Sequence, residues 1–187
     1  MSRLMSRVSS RFAFAITLLL ATLWWSTGTI LPAYAAADSQ VPFTATFSTV
    51  DTLYTAGCPG PACFGETGSG TATLLGAITT TGIGVVTSQT LVDPTHMRYT
   101  INEEHTLTGA NGDSITFRGT SAAVQDLSAG TFVVPPWQYT ITSGTGRYAG
   151  ATGSGLNYGS TQLNSAGTAA TGTFTSTGTV SSVGSLK

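Results

Sequence analysis

Glu103 and His105 stand two residues apart in the run Met97 to Gly109, MRYTINEEHTLTG, where apolar and polar side chains otherwise take turns. In an extended strand such a spacing puts both on one face. A carboxylate beside an imidazole can orient a ligand or act as an acid and base pair. The competing reading is structural: the two satisfy each other, or sit in water at a rim. Their face is shared with Tyr99, Ile101 and Leu107, so it is mainly apolar, and charge there is costly unless paired. Arg98, Asn102 and Glu104 fall on the opposite, solvated face, and His96, after Asp93-Pro94-Thr95, reads as a turn residue.

The second group with chemistry is Cys58 and Cys63 in CPGPAC. Metal binding would need two further ligands, and His96 and His105, the only histidines, are remote and not at zinc-finger spacing. A redox motif would have two intervening residues, not four. One disulfide pinning a Pro/Gly loop is the simplest reading, and closing a loop of about six residues adds a modest 2–3 kcal/mol, roughly. No metal and no cofactor are expected. The third group is the Gly-rich run Ser143 to Gly153, SGTGRYAGATG. It lacks the lysine of a phosphate-binding loop and the spacing of a dinucleotide fold, and no helical pattern follows. It reads as a tight corner between strands, with Tyr148 as plug and Arg147 as cap.

What must position these residues is a set of strands. Val41, Phe43, Ala45 and Phe47 alternate with Thr44, Thr46 and Ser48, the pattern of a half-buried strand. Further strands are expected over Gly70 to Thr80, Gly82 to Val92, Met97 to Gly109, Ser114 to Ser121, around Trp137, Tyr139 and Ile141, and near Gly155 to Leu163 and Gly167 to Val180. That gives about eight at regular spacing, hence an all-β fold, a closed antiparallel barrel or a sandwich. Glycines such as Gly68, Gly70, Gly82 and Gly84 fit strands that bend on closure. Around Asn111-Gly112-Asp113 a three-residue loop would pair Ala110 with Ser114 and set Leu107 opposite Phe117 and His105 opposite Gly119. An odd loop keeps Tyr99, Ile101, Glu103, His105 and Leu107 on one face with Ile115 and Phe117; an even one would mate that row with Thr116 and Arg118.

Composition narrows the function classes. Only 8% of the 187 residues are charged and the formal charge is −1, which excludes electrostatic nucleic-acid binding and a charge-laced helical bundle. About 35 threonines favour extended backbone and keep an outer face wet without charge. The alternating Thr171, Thr173, Thr175, Thr177 and Thr179 could bind a flat surface such as ice or polysaccharide. Only fragments of the row, such as Thr44 and Thr46 or Thr71 and Thr73, recur elsewhere, so a plain wet strand is the expected role. At the N-terminus Arg3, Arg7 and Arg11 precede the 14-residue apolar run Phe12 to Trp25, and Ala33-Tyr34-Ala35 follows. This is the pattern of a cleaved signal peptide over residues 1–35, too short for a membrane span. The alternative is an uncleaved anchor. Cleavage leaves a single domain over 36–187, acidic by about four charges, secreted, periplasmic or at the cell surface, with no membrane association.

The segment YTITSGTGRYAGATGSG resembles the corner motif of β-barrels in the dirigent and allene oxide cyclase-like superfamily, including small exported bacterial members. GSGTATLLG and ANGDSITFRG fit the same pattern, so the likeness covers roughly Gly68 to Gly155. The resemblance implies an eight-stranded antiparallel barrel with a central cavity, in a group whose plant members handle apolar small molecules. Thr152 stands where dirigent corners often carry arginine, and neither the dirigent acidic site nor any cyclase site residue can be matched. Fold transfers; chemistry does not. Three functions are carried forward. The first is an exported binding protein for an apolar small molecule, with Phe43, Phe47, Tyr99, Ile101, Phe117 and Tyr139 lining the cavity and Glu103 and His105 as polar contacts. The second is a barrel enzyme of cyclase or isomerase type using Glu103 or His105 as acid or base. The third is an inert surface or matrix protein with a filled barrel. A homo-oligomer stays open in all three.

Overall fold

The computed structural model describes residues 39–181; the leader-like segment 1–35 lies outside the described residues, as do 182–187. Eight strands run in chain order, β1 (Gln40–Tyr54), β2 (Ala62–Ala72), β3 (Gly76–Asp93), β4 (His96–Gly109), β5 (Ser114–Asp126), β6 (Thr131–Thr145), β7 (Gly153–Leu163) and β8 (Ala169–Ser181), with one short 3-10 turn at Gly146–Tyr148. Each strand pairs antiparallel with the next, and β8 returns to β1, closing the barrel. The alternation expected of β1 holds: Phe43, Ala45 and Phe47 are buried while Thr44, Thr46 and Ser48 face out.

Several strand boundaries differ from expectation. The segment Gly70 to Thr80 is broken by a turn at Thr73-Leu74-Leu75, and the break placed at Thr81-Gly82 is the middle of β3. The turn is hard to read from the chain because it has two left-handed residues, Leu74 (φ 72) and Gly76 (φ 73), and the first of them is not a glycine. Gly82 imitates a turn residue, yet it is extended and has a different purpose, described below. Strand β5 also runs on from Ser121 to Asp126.

The β4–β5 hairpin keeps its odd loop but shifts it by one residue. Gly109 N donates to Asp113 O at 2.9 Å, so the loop is Ala110 to Gly112; His105 therefore faces Phe117, and Glu103 faces Gly119. Gly112 supplies the positive φ, 85°, and the Asn111 side chain receives Asp113 N at 3.2 Å, which fixes Asp113 just ahead of β5, opposite Gly109. Parity is unchanged, so Ile101, Glu103, His105 and Leu107 still share the inner face with Ile115 and Phe117.

The barrel is filled at one end and open at the other. Phe43, Leu107, Ile115, Phe117, Ile141 and Val180 pack the end that carries the β2–β3, β4–β5 and β6–β7 turns. Tyr148 plugs this end, its hydroxyl donating to Leu74 O at 3.0 Å, and Arg147 reaches Asp113 Oδ2 at 2.6 Å and Leu74 O at 3.4 Å. Three turns are thereby tied together, with Arg147 in the capping position its sequence context suggests. At the opposite end the Cys58–Cys63 disulfide, with Cα atoms 5.7 Å apart, closes the β1–β2 loop. Pairing is interrupted toward that end: β3 shifts register against β4 between Val86 and Ser88, and β6 breaks pairing with β7 between Val134 and Trp137, where Pro135 and Pro136 have no N–H to donate.

The pairing also sets the outer hydroxyls in register, beyond the fragments visible in the chain. Thr173, Ser48, Ser69, Thr79, Thr108 and Ser114 are successive partners on six adjacent strands. The rows wrap a curved wall.

Two tyrosines offer a paired test of the packed end. The Tyr139 hydroxyl is buried with no hydrogen-bond partner, and burial pushes it up to about 12, whereas the Tyr148 hydroxyl is bonded. Tyr148→Phe should cost about 1 kcal/mol, while Tyr139→Phe should leave stability unchanged or raise it. Urea midpoints of the two variants check this; equal losses would contradict it.

Candidate functional site

Halfway along the barrel three charged side chains meet on the inner wall. His105 on β4 is fully buried, its ring stacked on Phe117 (centroids 5.1 Å, planes at 25°) with Trp137 at 6.2 Å and Phe47 at 6.4 Å. Its Nδ1 lies 3.2 Å from Glu66 Oε1 on β2, and its Nε2 lies 2.8 Å from Glu103 Oε2. Glu66 and His105 are two strands apart, each the partner of Gly82 on the strand between. A Cβ at Gly82 would lie 3.0 Å from His105 Nδ1, so the missing side chain is what lets the pair meet across β3. Thr80 Oγ1 donates to Glu66 Oε1 at 3.2 Å, and Ser121 Oγ donates to Glu103 Oε1.

With an acceptor at each ring nitrogen, His105 is held as an imidazolium donating from both. Burial alone would drive it neutral; the hydrogen bonds to Glu103 and Glu66, and then their charges, outweigh burial and raise the pKa to about 10. A doubly protonated ring has no lone pair for a metal and cannot act as a base at neutral pH. Ser121 gives its proton to a carboxylate rather than to an imidazole, so the group is not a nucleophilic triad.

Above this layer the open half holds a cavity of about 290 Å³. Glu66 and Glu103 line it, as does Asp51 on β1, the register partner of Glu66. Its walls include Phe64, Val86, Ile101, Val134 and Phe174. Asp51 is buried with Oδ1 unpartnered, and burial, then the charge of Glu66, lifts its pKa from 3.8 to about 7; Thr49 and His105 pull weakly the other way. Tyr99 and Gln125 stand nearer the mouth, joined by a 2.7 Å hydrogen bond from the Tyr99 hydroxyl.

Of the residues singled out from the chain, Glu103, Tyr99 and Ile101 line the cavity. His105 lies behind it, bracing two of its carboxylates, and Phe117 and Tyr139 pack below, where they touch each other with centroids 4.6 Å apart. Phe43 and Phe47 are likewise core residues. Sequence reasoning missed Asp51 and Glu66. Asp51 extends the inner row of β1 by two steps beyond Phe47, through Thr49, so the signal was present; Glu66 sits among glycines whose strand could not be phased.

Both perturbed groups make stability pH-dependent, with the same sign. His105 has a folded pKa above its ordinary 6.5, so its contribution is complete below that value and fades as pH rises toward about 10. Asp51, raised from 3.8 to about 7, takes up protons on folding in that window, so stability falls as pH rises through it. Urea midpoints should therefore decline in two stages with rising pH, and Asp51→Asn should remove the acidic stage only. Glu66→Gln and Glu103→Gln should each cost about 3–5 kcal/mol by leaving the imidazolium half-paired.

No protein-family model and no curated protein matches the chain. Among solved structures it is similar to the pterocarpan synthase dirigent protein, with a TM-score of 0.45 and 10% sequence identity, over 76% of this chain and 91% of that one.

Proposed function

We propose that this chain is an exported barrel protein that holds an apolar small molecule in the open half of its barrel. The observation that carries the reading is the cavity of about 290 Å³, apolar on its walls and ending on the carboxylates of Asp51, Glu66 and Glu103. Small-molecule sites have this composition: an apolar lining with a few convergent polar groups that fix orientation. The cavity sets this reading above that of a filled, inert barrel. Export is supported by the basic, apolar and small-residue order of segment 1–35 and by the disulfide; no described helix is long and apolar enough to cross a membrane. The final compartment would be the periplasm, the cell surface or the medium. The corner motif around Arg147 and Tyr148, with its resemblance to the dirigent and allene oxide cyclase-like superfamily, is in keeping with a ligand-holding barrel.

One observation favours a second reading, a cyclase- or isomerase-type enzyme. A carboxyl with a pKa of about 7 in an apolar pocket is suited to proton transfer at neutral pH, which gives the acid or base role to Asp51 rather than His105. In that case Asp51→Asn would abolish turnover of an identified substrate while leaving its binding.

The binding reading is tested with an environment-sensitive anilinonaphthalene dye and the processed protein. Wild type should bind one equivalent with a rise in emission. Ala123→Trp, which places an indole in the cavity, should lose binding while keeping the β-type circular dichroism; Ile101→Trp serves if the first variant misfolds. Dye binding that survives both substitutions would place the dye outside the barrel and defeat the reading. Native mass spectrometry of protein purified from its host reads the co-purifying ligand and subunit count together.

A further inference from the structure

The cavity floor has a charge imbalance that constrains its occupant. Asp51, Glu66 and Glu103 converge on it from β1, β2 and β4. The one cation nearby, His105, lies beneath and has both nitrogens committed to Glu66 and Glu103. No arginine lines the cavity, and no lysine occurs among the described residues. Arg118 and Arg147 are paired outside the barrel with Glu104 and Asp113, and Arg98 is exposed on the outer face. Two glutamates against one imidazolium leave a net charge of −1, and an ionised Asp51 makes it −2. Like charges directly opposite on adjacent strands repel, and Asp51 and Glu66 are such a pair.

Asp51 is also short of partners, the Thr49 hydroxyl being the one side chain that hydrogen-bonds toward its carboxyl. The residue is 6% exposed, and its Oδ1 is buried without a hydrogen bond. An unpaired buried acceptor is costly, more so when charged, and Asp51 lines the cavity, so a ligand there can supply the donor that Oδ1 lacks. A neutral hydroxyl would supply one proton and no charge. An anionic ligand would add to the repulsion. An ammonium group supplies up to three donors and a positive charge, matching three carboxylates around an otherwise apolar space.

Resting on the binding function argued above, we propose that the ligand is an apolar amine: its protonated nitrogen sits against Asp51 between Glu66 and Glu103, and its hydrocarbon body runs along Ile101, Val134 and Phe174 toward the mouth. Selectivity then lies in the head group, with the walls reading only size and apolarity.

The probes are hexylamine, hexanol and hexanoate, equal in length and different in charge, titrated calorimetrically into the processed protein near neutral pH. Hexylamine should bind at least about ten-fold tighter than hexanol, a difference of ~1.4 kcal/mol, with hexanoate weakest. Asp51→Asn should erase the preference for the amine, bringing hexylamine affinity down to that of hexanol. Should that variant not fold, lowering the pH of the wild type from about 8 to about 5 reads the same group. The groups facing Asp51 are Glu66 on β2 and Glu103 and His105 on β4; protonating Asp51 should weaken hexylamine much more than hexanol and so remove the amine preference. Hexanol or hexanoate binding as tightly as the amine, or an amine preference that survives Asp51→Asn, overturns the amine assignment but not cavity binding. Failure of all three probes while the naphthalene dye still binds within the barrel also overturns the assignment alone; failure of the dye as well removes the binding function with it.

Discussion

The His105 imidazolium between Glu66 and Glu103 is the interaction around which the interior is arranged. Moving three charges out of water costs several kcal/mol each, and only close pairing with complete hydrogen bonding can offset it. The barrel meets that demand with contacts of 3.2 and 2.8 Å to the ring, additional donors from Thr80 and Ser121, and a glycine at position 82 that clears the path. Phe117, Trp137 and Phe47 fix the ring from the sides, so the donors point at the carboxylates and nowhere else. Replacing the imidazolium by a hydrophobe would strand two glutamates; replacing a glutamate would strand the ring. The three residues are therefore interdependent, and they link β2 to β4 through side chains in addition to the backbone ladder.

That charged layer also divides the barrel. Below it, aromatic and aliphatic side chains fill the lumen and the Tyr148 plug seals it. Above it, packing cannot simply continue, because the upper surfaces of Glu66, Glu103 and Asp51 require polar company that the apolar walls do not supply. The backbone cooperates: the register shift after Val86 turns Gln89 into the cavity, and the Pro135-Pro136 interruption lets both Val134 and Trp137 face inward, one in each half. A filled end gives rigidity to the floor of the site, and an open end gives access.

Much of this was legible in the chain because period-two alternation is a direct consequence of strand geometry. The inner rows of β1, β4, β5 and β6 could be written down from Phe43, Ile101, Phe117 and Tyr139, and Glu103 and His105 fell on the inner face as expected. What alternation does not encode is height along the barrel axis. Phe117 and Tyr139 share a face with Tyr99, yet they sit in the packed half, because strand tilt and the exact hairpin register decide which layer a residue joins. The one-residue shift of the β4–β5 loop moved every partner by two positions without changing a single side's polarity. Glu66 was hidden for a related reason. A strand of Ala62 to Ala72 containing three glycines has too few side chains to reveal its phase, and the turn that follows uses Leu74 where a glycine or asparagine would have announced it.

The scarcity of charge on this protein acquires meaning from where the charges are. Closure removes free sheet edges, and registered serines and threonines put polar groups on the outer wall, so that wall is polar in part without lysine and with little glutamate. The charges that remain have positions set by structure: Arg147 with Asp113 ties the closed end, Arg118 with Glu104 bridges β4 and β5 outside, and Asp51, Glu66, Glu103 and His105 occupy the interior. A chain selected only for a stable barrel would lose little by exchanging the last four for well-packed apolar residues, since buried ion pairs are often weaker than the hydrophobic contacts that could replace them. Keeping four ionisable groups in the interior of a protein otherwise so sparing with charge places the reason for them in the cavity they face rather than in the fold they burden.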